Sequence, residues 1–241
     1  GTSAGATDVL KWTSTGSTSI TLSGLSLDDG ESYYFSAAAV NNAGITGSVL
    51  YSDGVEIDSS PPGDIASVYD GFGGEEWDYS TDTSRLFASW SDTSDPHSGL
   101  ASYWYAIGAS PGATDVVGWT DNGAATSAAE TGLSLADGQI YYFAVKAGNN
   151  FGLYSETAVS DGLIADGSAP SLPGVRDGLF DDVDYINTST KIKANWDSAS
   201  EPHSGVARYW YSAGTTSGAS DTVAWTDNGT ATSVVSGGLS L

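Results

Sequence analysis

Two stretches of this chain repeat one another at a distance of 106 residues. Tyr103-Trp104-Tyr105 returns as Tyr209-Trp210-Tyr211, and of the 21 positions from Tyr103 to Gly123, 13 are identical between Tyr209 and Gly229. The opening Gly1-Thr2-Ser3-Ala4-Gly5-Ala6-Thr7-Asp8 matches Gly108 to Asp115 at an offset of 107, and Gly24-Leu25-Ser26-Leu27 matches Gly132 to Leu135 at an offset of 108. The period is about one sandwich domain long. It divides the chain into residues 1–58, the C-terminal part of a module; residues 59–166, a complete module; and residues 167–241, the N-terminal part of a third.

Within the complete module the β signals are short and separated by Gly, Asp and Asn turns, with no helical period. Strands are predicted at Ile65 to Val68, Ser84 to Trp90, Ala101 to Gly108, Val116 to Trp119, Thr126 to Thr131, Gln139 to Ala147 and Ser155 to Ile164. Seven strands in about 108 residues suit two antiparallel sheets packed face to face. Successive side chains of a strand point to opposite faces, so Tyr141, Phe143, Val145 and Ala147 share one face and are expected to line the core. The fold class expected is all-β, a tandem of β-sandwich modules.

At these residues the sequence resembles the fibronectin type III superfamily, in the divergent form of large bacterial surface proteins. Trp90 and Trp196 stand where that family places its core Trp on strand B, and Tyr103 and Tyr209 match the Tyr of strand C. Leu133-x-Leu135-x-Asp-Gly-x-x-Tyr141, repeated with Leu25, Leu27 and Tyr33, is similar to the tyrosine corner that leads into strand F. Ala147-x-Asn149-x-x-Gly152 and Ala39-x-Asn41-x-x-Gly44 resemble the turn from F to G. The resemblance covers nearly the whole chain; the departures are a long insert between strands A and B and an Asp-Gly where many members carry Pro-Gly. It implies that residues 1–58 lack strands A, B and C and that residues 167–241 stop before F and G. Two expectations follow: the chain is an excerpt of a longer tandem array, or strands F and G of one subunit complete the terminal module of the next, as in strand-donation polymers. Residues 1–27 duplicate 215–241, so clean complementation would leave one copy redundant, which favours the excerpt.

Charge narrows the function classes. Thirty acidic against seven basic side chains give a net charge of −23, so nucleic acid and anionic lipid would be repelled rather than bound. With no Cys, neither a disulfide framework nor a thiolate metal site exists, and the apolar runs are too short to span a bilayer as a helix. Self-repulsion at this charge destabilises a compact state unless salt or bound cations offset it.

The acids are biased to Asp, 23 of the 30, and they cluster. Asp70-Gly71-x-x-x-Glu75-Glu76-x-Asp78 recurs as Asp177-Gly178-x-x-Asp181-Asp182-x-Asp184, and Asp58 and Asp166 stand just before the Pro-containing linkers. Hard carboxylate oxygens on a loop suit calcium, which takes six to eight oxygen ligands in loose geometry. Asp92 and Asp95, in the loop from B to C, are further candidate ligands. The alternatives are a solvated acidic surface or plain turn chemistry, the latter being the reading for Asp53-Gly54, Asp137-Gly138 and Asp161-Gly162.

Asp95-Pro96-His97-Ser98-Gly99, echoed by Glu201-Pro202-His203-Ser204-Gly205, brings an acid, His and Ser into one loop. A hydrolytic triad needs a third group orienting the ring and an oxyanion hole opposite; neighbours in one turn, repeated in tandem, suit local backbone capping instead. No catalytic residue is expected. Trp104 and Trp210 are predicted to face away from Tyr103 and Tyr105, either as cross-strand packing or as platforms for sugars. Asn187-Thr188-Ser189 and Asn228-Gly229-Thr230 fit the N-glycosylation pattern, which marks exposed loops.

These observations and the resemblance together imply a non-enzymatic extracellular or cell-surface repeat protein: a stalk, fibre, filament or adhesin whose module junctions are stiffened by calcium. Its partners would be neighbouring modules or subunits of the same protein, strand-complemented in the polymer case, and a surface glycan or protein ligand. The alternative is a set of accessory or carbohydrate-binding modules of a secreted polysaccharide-degrading enzyme.

Overall fold

The computed structural model describes residues 1–240, and their regular structure is β throughout, with no helix among them. The strands are β1 Ser32–Tyr33, β2 Ser36–Ala37, β3 Leu50–Tyr51, β4 Val55–Glu56, β5 Val68–Tyr69, β6 Tyr79–Ser80, β7 Arg85–Trp90, β8 Leu100–Gly108, β9 Val117–Asp121, β10 Ser127–Thr131, β11 Ile140–Asn149, β12 Ala158–Val159, β13 Leu163–Ala165, β14 Val175–Asp177, β15 Lys191–Trp196, β16 Trp210–Ala213, β17 Val223–Asp227 and β18 Ser233–Gly237. The chain divides into two compact units. One holds Gly1–Glu76, Phe87–Ala129 and Tyr142–Gly162; the other holds Trp77–Leu86, Glu130–Tyr141 and the chain from Leu163 on.

In the first unit β1 pairs with β4 and β2 with β3, an antiparallel hairpin. β7 lies between β5 and β10, while β8 lies between β9 and β11, with β12 beyond β11. The two sheets form a sandwich, β5, β7 and β10 (strands A, B and E) against β9, β8, β11 and β12 (strands C′, C, F and G), in keeping with the all-β class expected. The two sheets meet through aromatic rings: Trp90 and Tyr103 lie 6.0 Å apart between centroids, and Tyr105 and Phe143 lie 6.2 Å apart. The predicted core face is the buried one, with Phe143 at 1% exposure and Val145 and Ala147 at 0%. Each such side chain contributes roughly 1.5–3 kcal/mol if it is a large one fully removed from water.

In the second unit β13 pairs antiparallel with the start of β11, Tyr141 opposite Leu163, and parallel with β6, Ile164 opposite Tyr79. β15 lies between β14 and β18, and β16 pairs with β17. Trp196 repeats the role of Trp90, 5.8 Å from Tyr209.

Three expectations are revised. The first strand begins at Val68 rather than Ile65. The A-to-B insert contributes a short strand, β6, that no alternation announces. The last predicted strand is two pieces: the register is Val145 opposite Ala158 but Tyr141 opposite Leu163, so one extra residue is accommodated between β12 and β13. Such an insertion is a bulge, and Gly162 takes it up at φ 99°, a left-handed conformation that a side chain opposes.

Candidate functional site

The bulge organises the strongest acidic group. Asp70, next after β5, is 1% exposed. Its Oδ2 accepts the Gly162 N–H at 2.9 Å, and the Ser160 hydroxyl donates to it as well. Its own N–H donates to Glu76 Oε1 at 3.0 Å. Burial pushes the Asp70 carboxyl up to about 7, against the pull of those hydrogen bonds, with Glu76 and Asp161 adding repulsion. Asp70, Glu76 and Asp161 offer carboxylate oxygens within 4.8 Å of one another, the one group of three acids of this kind among the described residues. Hard oxygens at that spacing could hold a divalent cation such as calcium.

Of the predicted ligands, Asp70 and Glu76 therefore come together, while Glu75 and Asp78 stand exposed outside the group. Asp161, read from sequence as turn chemistry, is its third member. Turn chemistry and membership of the acidic group coincide here because the bulge aims the Ser-Asp-Gly segment at the A-to-B insert, and no local sequence signal carries that. The elements recur in part: Asp177 N–H donates to Asp182 Oδ1 at 3.0 Å, as Asp70 does to Glu76. Asp177, Asp181, Asp182 and Asp184 are all exposed. Ser52-Asp53-Gly54 repeats the bulge residues, with Ser52 Oγ accepting the Phe35 N–H as Ser160 Oγ accepts that of Phe143, and Gly54 at φ 97°.

A second constellation forms where one sequence module follows another. In the first unit Asp58 Oδ2 accepts the Ser98 N–H at 3.2 Å and the Asn149 amide at 3.0 Å. The same amide reaches Asp95 Oδ2 at 3.2 Å and the Ser60 carbonyl at 3.1 Å. Asp58 and Asp95 are thus brought together, but by a shared amide donor; Asp92 is exposed on the same loop. Desolvation opposes ionisation of Asp95, yet the Asn149 amide and the His97 and Gly99 N–H groups hold its carboxyl below the usual range. In the second unit Asp166 is held low mainly by the Ser204 hydroxyl. A cleft of about 330 Å³ opens beside the first of these sites, its lining including Asp58, His97, Ser98, Asn150 and Phe151.

His97 does not turn toward Ser98. Its ring faces two acids distant in sequence, Nε2 lying 3.4 Å from Asp29 Oδ2 and Nδ1 lying 3.9 Å from Glu56 Oε1. His203 does the same, with Nε2 3.4 Å from Asp137 Oδ2. Trp104 points away from the core, as predicted, and packs edge-on to Tyr154 at 6.4 Å. Lys146 lies between the Trp119 and Tyr154 rings, 4.4 and 4.1 Å from their centroids, a double cation–π contact. The aromatic faces beside Trp104 are accordingly occupied by the protein's own ammonium. Trp210 is 53% exposed. Asn187 is exposed, whereas the Asn228 amide is engaged with the Ala231 and Ser233 carbonyls.

No family model matches this chain, and no curated protein matches it. Among solved structures it is similar to the crystal structure of the chicken CNTN1 FN1-FN3 domains, at 15% identity and a TM-score of 0.36, over 90% of this chain and 70% of that one.

Proposed function

We propose that this chain is a segment of a non-enzymatic extracellular or cell-surface array, a stalk, fibre or adhesin in which sandwich modules act as spacers. The observation that carries the reading is repetition of the joint. Both linkers place an Asp, Asp58 or Asp166, on the Ser of the next module's loop, and both place a His against the acid of the preceding turn. A joint kept alike at two linkers suits a device that sets spacing and direction. The partners proposed are further modules or subunits of the same kind, with strand donation as the polymeric form, and a surface glycan or protein ligand at the array's end.

The cofactor proposed is calcium, held by Asp70, Glu76 and Asp161. Bound there it would tie the A-to-B insert to the bulge before β13 and offset part of the acidic self-repulsion. Small-angle scattering and thermal melting, each with calcium and with chelator, test both parts. A maximum dimension matching modules laid end to end supports the stalk, and a compact globule overturns it. Loss of thermal stability in chelator supports the calcium; identical melting in the two conditions overturns that part alone.

A further inference from the structure

The chain has two histidines, and they occupy the same place. Each sits in a Pro-His-Ser-Gly loop and each covers the glycine of an Asp-Gly turn in the module before it. A Cβ built on Gly30 would overlap the His97 ring, and a Cβ on Gly138 would overlap the His203 ring. Both glycines adopt φ 77°. The aspartate before each glycine works in two directions. Asp29 Oδ1 accepts the Ser59 N–H at 2.6 Å while Oδ2 faces His97. Asp137 Oδ1 accepts the Gly167 N–H at 2.7 Å while Oδ2 faces His203. One carboxylate thereby fixes the first residues of the linker and the ring of the next module together. The loop is braced from behind in both copies, because the His97 N–H donates to Asp95 Oδ1 and the His203 N–H donates to Glu201 Oε1.

We propose that this His-on-Gly contact is a recognition surface whose partner is another module of the same kind: the Pro-His-Ser-Gly loop accepts a preceding module only if that module carries Asp-Gly at this turn. The glycine is the socket and the imidazole is the key. Any larger residue in the socket fills the ring's place, and alanine at the key lacks both the flat ring that covers the glycine and the nitrogen that meets the aspartate. This also gives a reason for an aspartate at this turn. Proline there would leave no carboxylate to hold the linker and the ring. The contact consists of protein groups alone, so the joint keeps its orientation without a bound cation. The inference deepens the array reading and rests on it for the joint's purpose, but the contact itself would exist in a compact protein too.

The test uses the full chain, which has no cysteine of its own to interfere with labelling. Spin labels at Ser48→Cys and Ser127→Cys report the first joint, and labels at Ser134→Cys and Thr230→Cys report the second, by pulsed electron resonance distance measurement in chelator. The wild-type background is expected to give one narrow distance peak for each pair. His97→Ala is expected to lose the first narrow peak and His203→Ala the second, with far-ultraviolet dichroism unchanged. Gly138→Ala should broaden the second pair as well. Adding His203→Ala to it should broaden the distribution no further than His203→Ala alone, because the overlap needs both partners. A broad wild-type distribution in chelator overturns the proposal, as does a histidine variant that keeps the narrow peak. A compact scattering envelope with narrow peaks would instead overturn the stalk and leave the joint standing.

Discussion

Trp104 and Trp210 are the same residue of the same repeat, yet their surroundings differ. Trp104 is partly buried, with Tyr154 edge-on to it and Lys146 opposite it in register on β11. Trp210 is 53% exposed on β16, whose strand partner is β17. Asp70 and Asp177 differ in the same way: one is sealed beneath the bulge of strand G, and the other is exposed at the end of β14. Trp90 and Trp196, by contrast, are buried alike, at 5% and 7%, each against its strand-C tyrosine. The lesson is where each side chain finds its cover. The strand-B tryptophan is covered by strand C, which both copies possess among the described residues. The strand-C tryptophan and the strand-A aspartate are covered by F and G.

Five substitutions sharpen that contrast, beginning with the largest effect. Trp90→Ala removes a buried ring from between two sheets and is expected to cost about 3–5 kcal/mol in denaturant unfolding. A loss under about 1 kcal/mol, the scale of an ordinary surface change, would show that the ring is not a core element.

Asp70 comes next, and here the sign follows from its pKa. In the folded state the carboxyl titrates at about 7 instead of 3.8. Between those two values the folded protein holds a proton that the unfolded chain has released, so stability falls as pH rises through this window and is level above it. The ceiling is about 4 kcal/mol at roughly 1.4 kcal/mol per pH unit. In chelator, Asp70→Asn should remove this slope, while Asp177→Asn should leave it in place; an unchanged slope in the first variant sinks the assignment. The linker acids Asp95 and Asp166, held low by hydrogen bonds, act at the acid end instead, where their stabilisation is lost as pH falls through their depressed values. The two windows are therefore separable in one pH series.

The smallest effect belongs to Lys146→Ala. It frees the Trp119 and Tyr154 faces and is expected to cost about 1 kcal/mol, the scale of partly exposed cation–π contacts. The same variant divides the two readings of Trp104. New retention on a polysaccharide column, abolished by Trp104→Ala, would favour a sugar platform; unchanged migration would favour packing.

Much of the fold was legible because local chemistry and tertiary need agree. Tyr141 OH accepts the Ala136 N–H at 2.8 Å and Tyr33 OH accepts that of Asp28 at the same distance, so the tyrosine corner read from Leu-x-Leu-x-Asp-Gly-x-x-Tyr and its repeat is a local structure of nearby residues. Asn149 and Asn41 likewise close the F-to-G turn through their own side chains, accepting from Leu153 and Ile45. The candidate site was legible only in part. Asp70 and Glu76 lie six residues apart and share a hydrogen bond, so a pattern of acids reveals them. Asp161 lies 91 residues beyond Asp70, in a Ser-Asp-Gly that looks like any other turn.

What the sequence by itself determined was the repeat, the all-β class, the face of strand F that is buried and the turn chemistry, because each depends on alternation or on groups within a few residues. What only the tertiary structure decided was which acids meet, which tryptophans are covered and what the histidines touch. Those outcomes depend on a one-residue bulge and on loops far apart in sequence coming within hydrogen-bonding reach. Side-chain direction along a strand has a period of two, so a single inserted residue turns the side chains beyond it to the opposite face, and composition carries no trace of that shift.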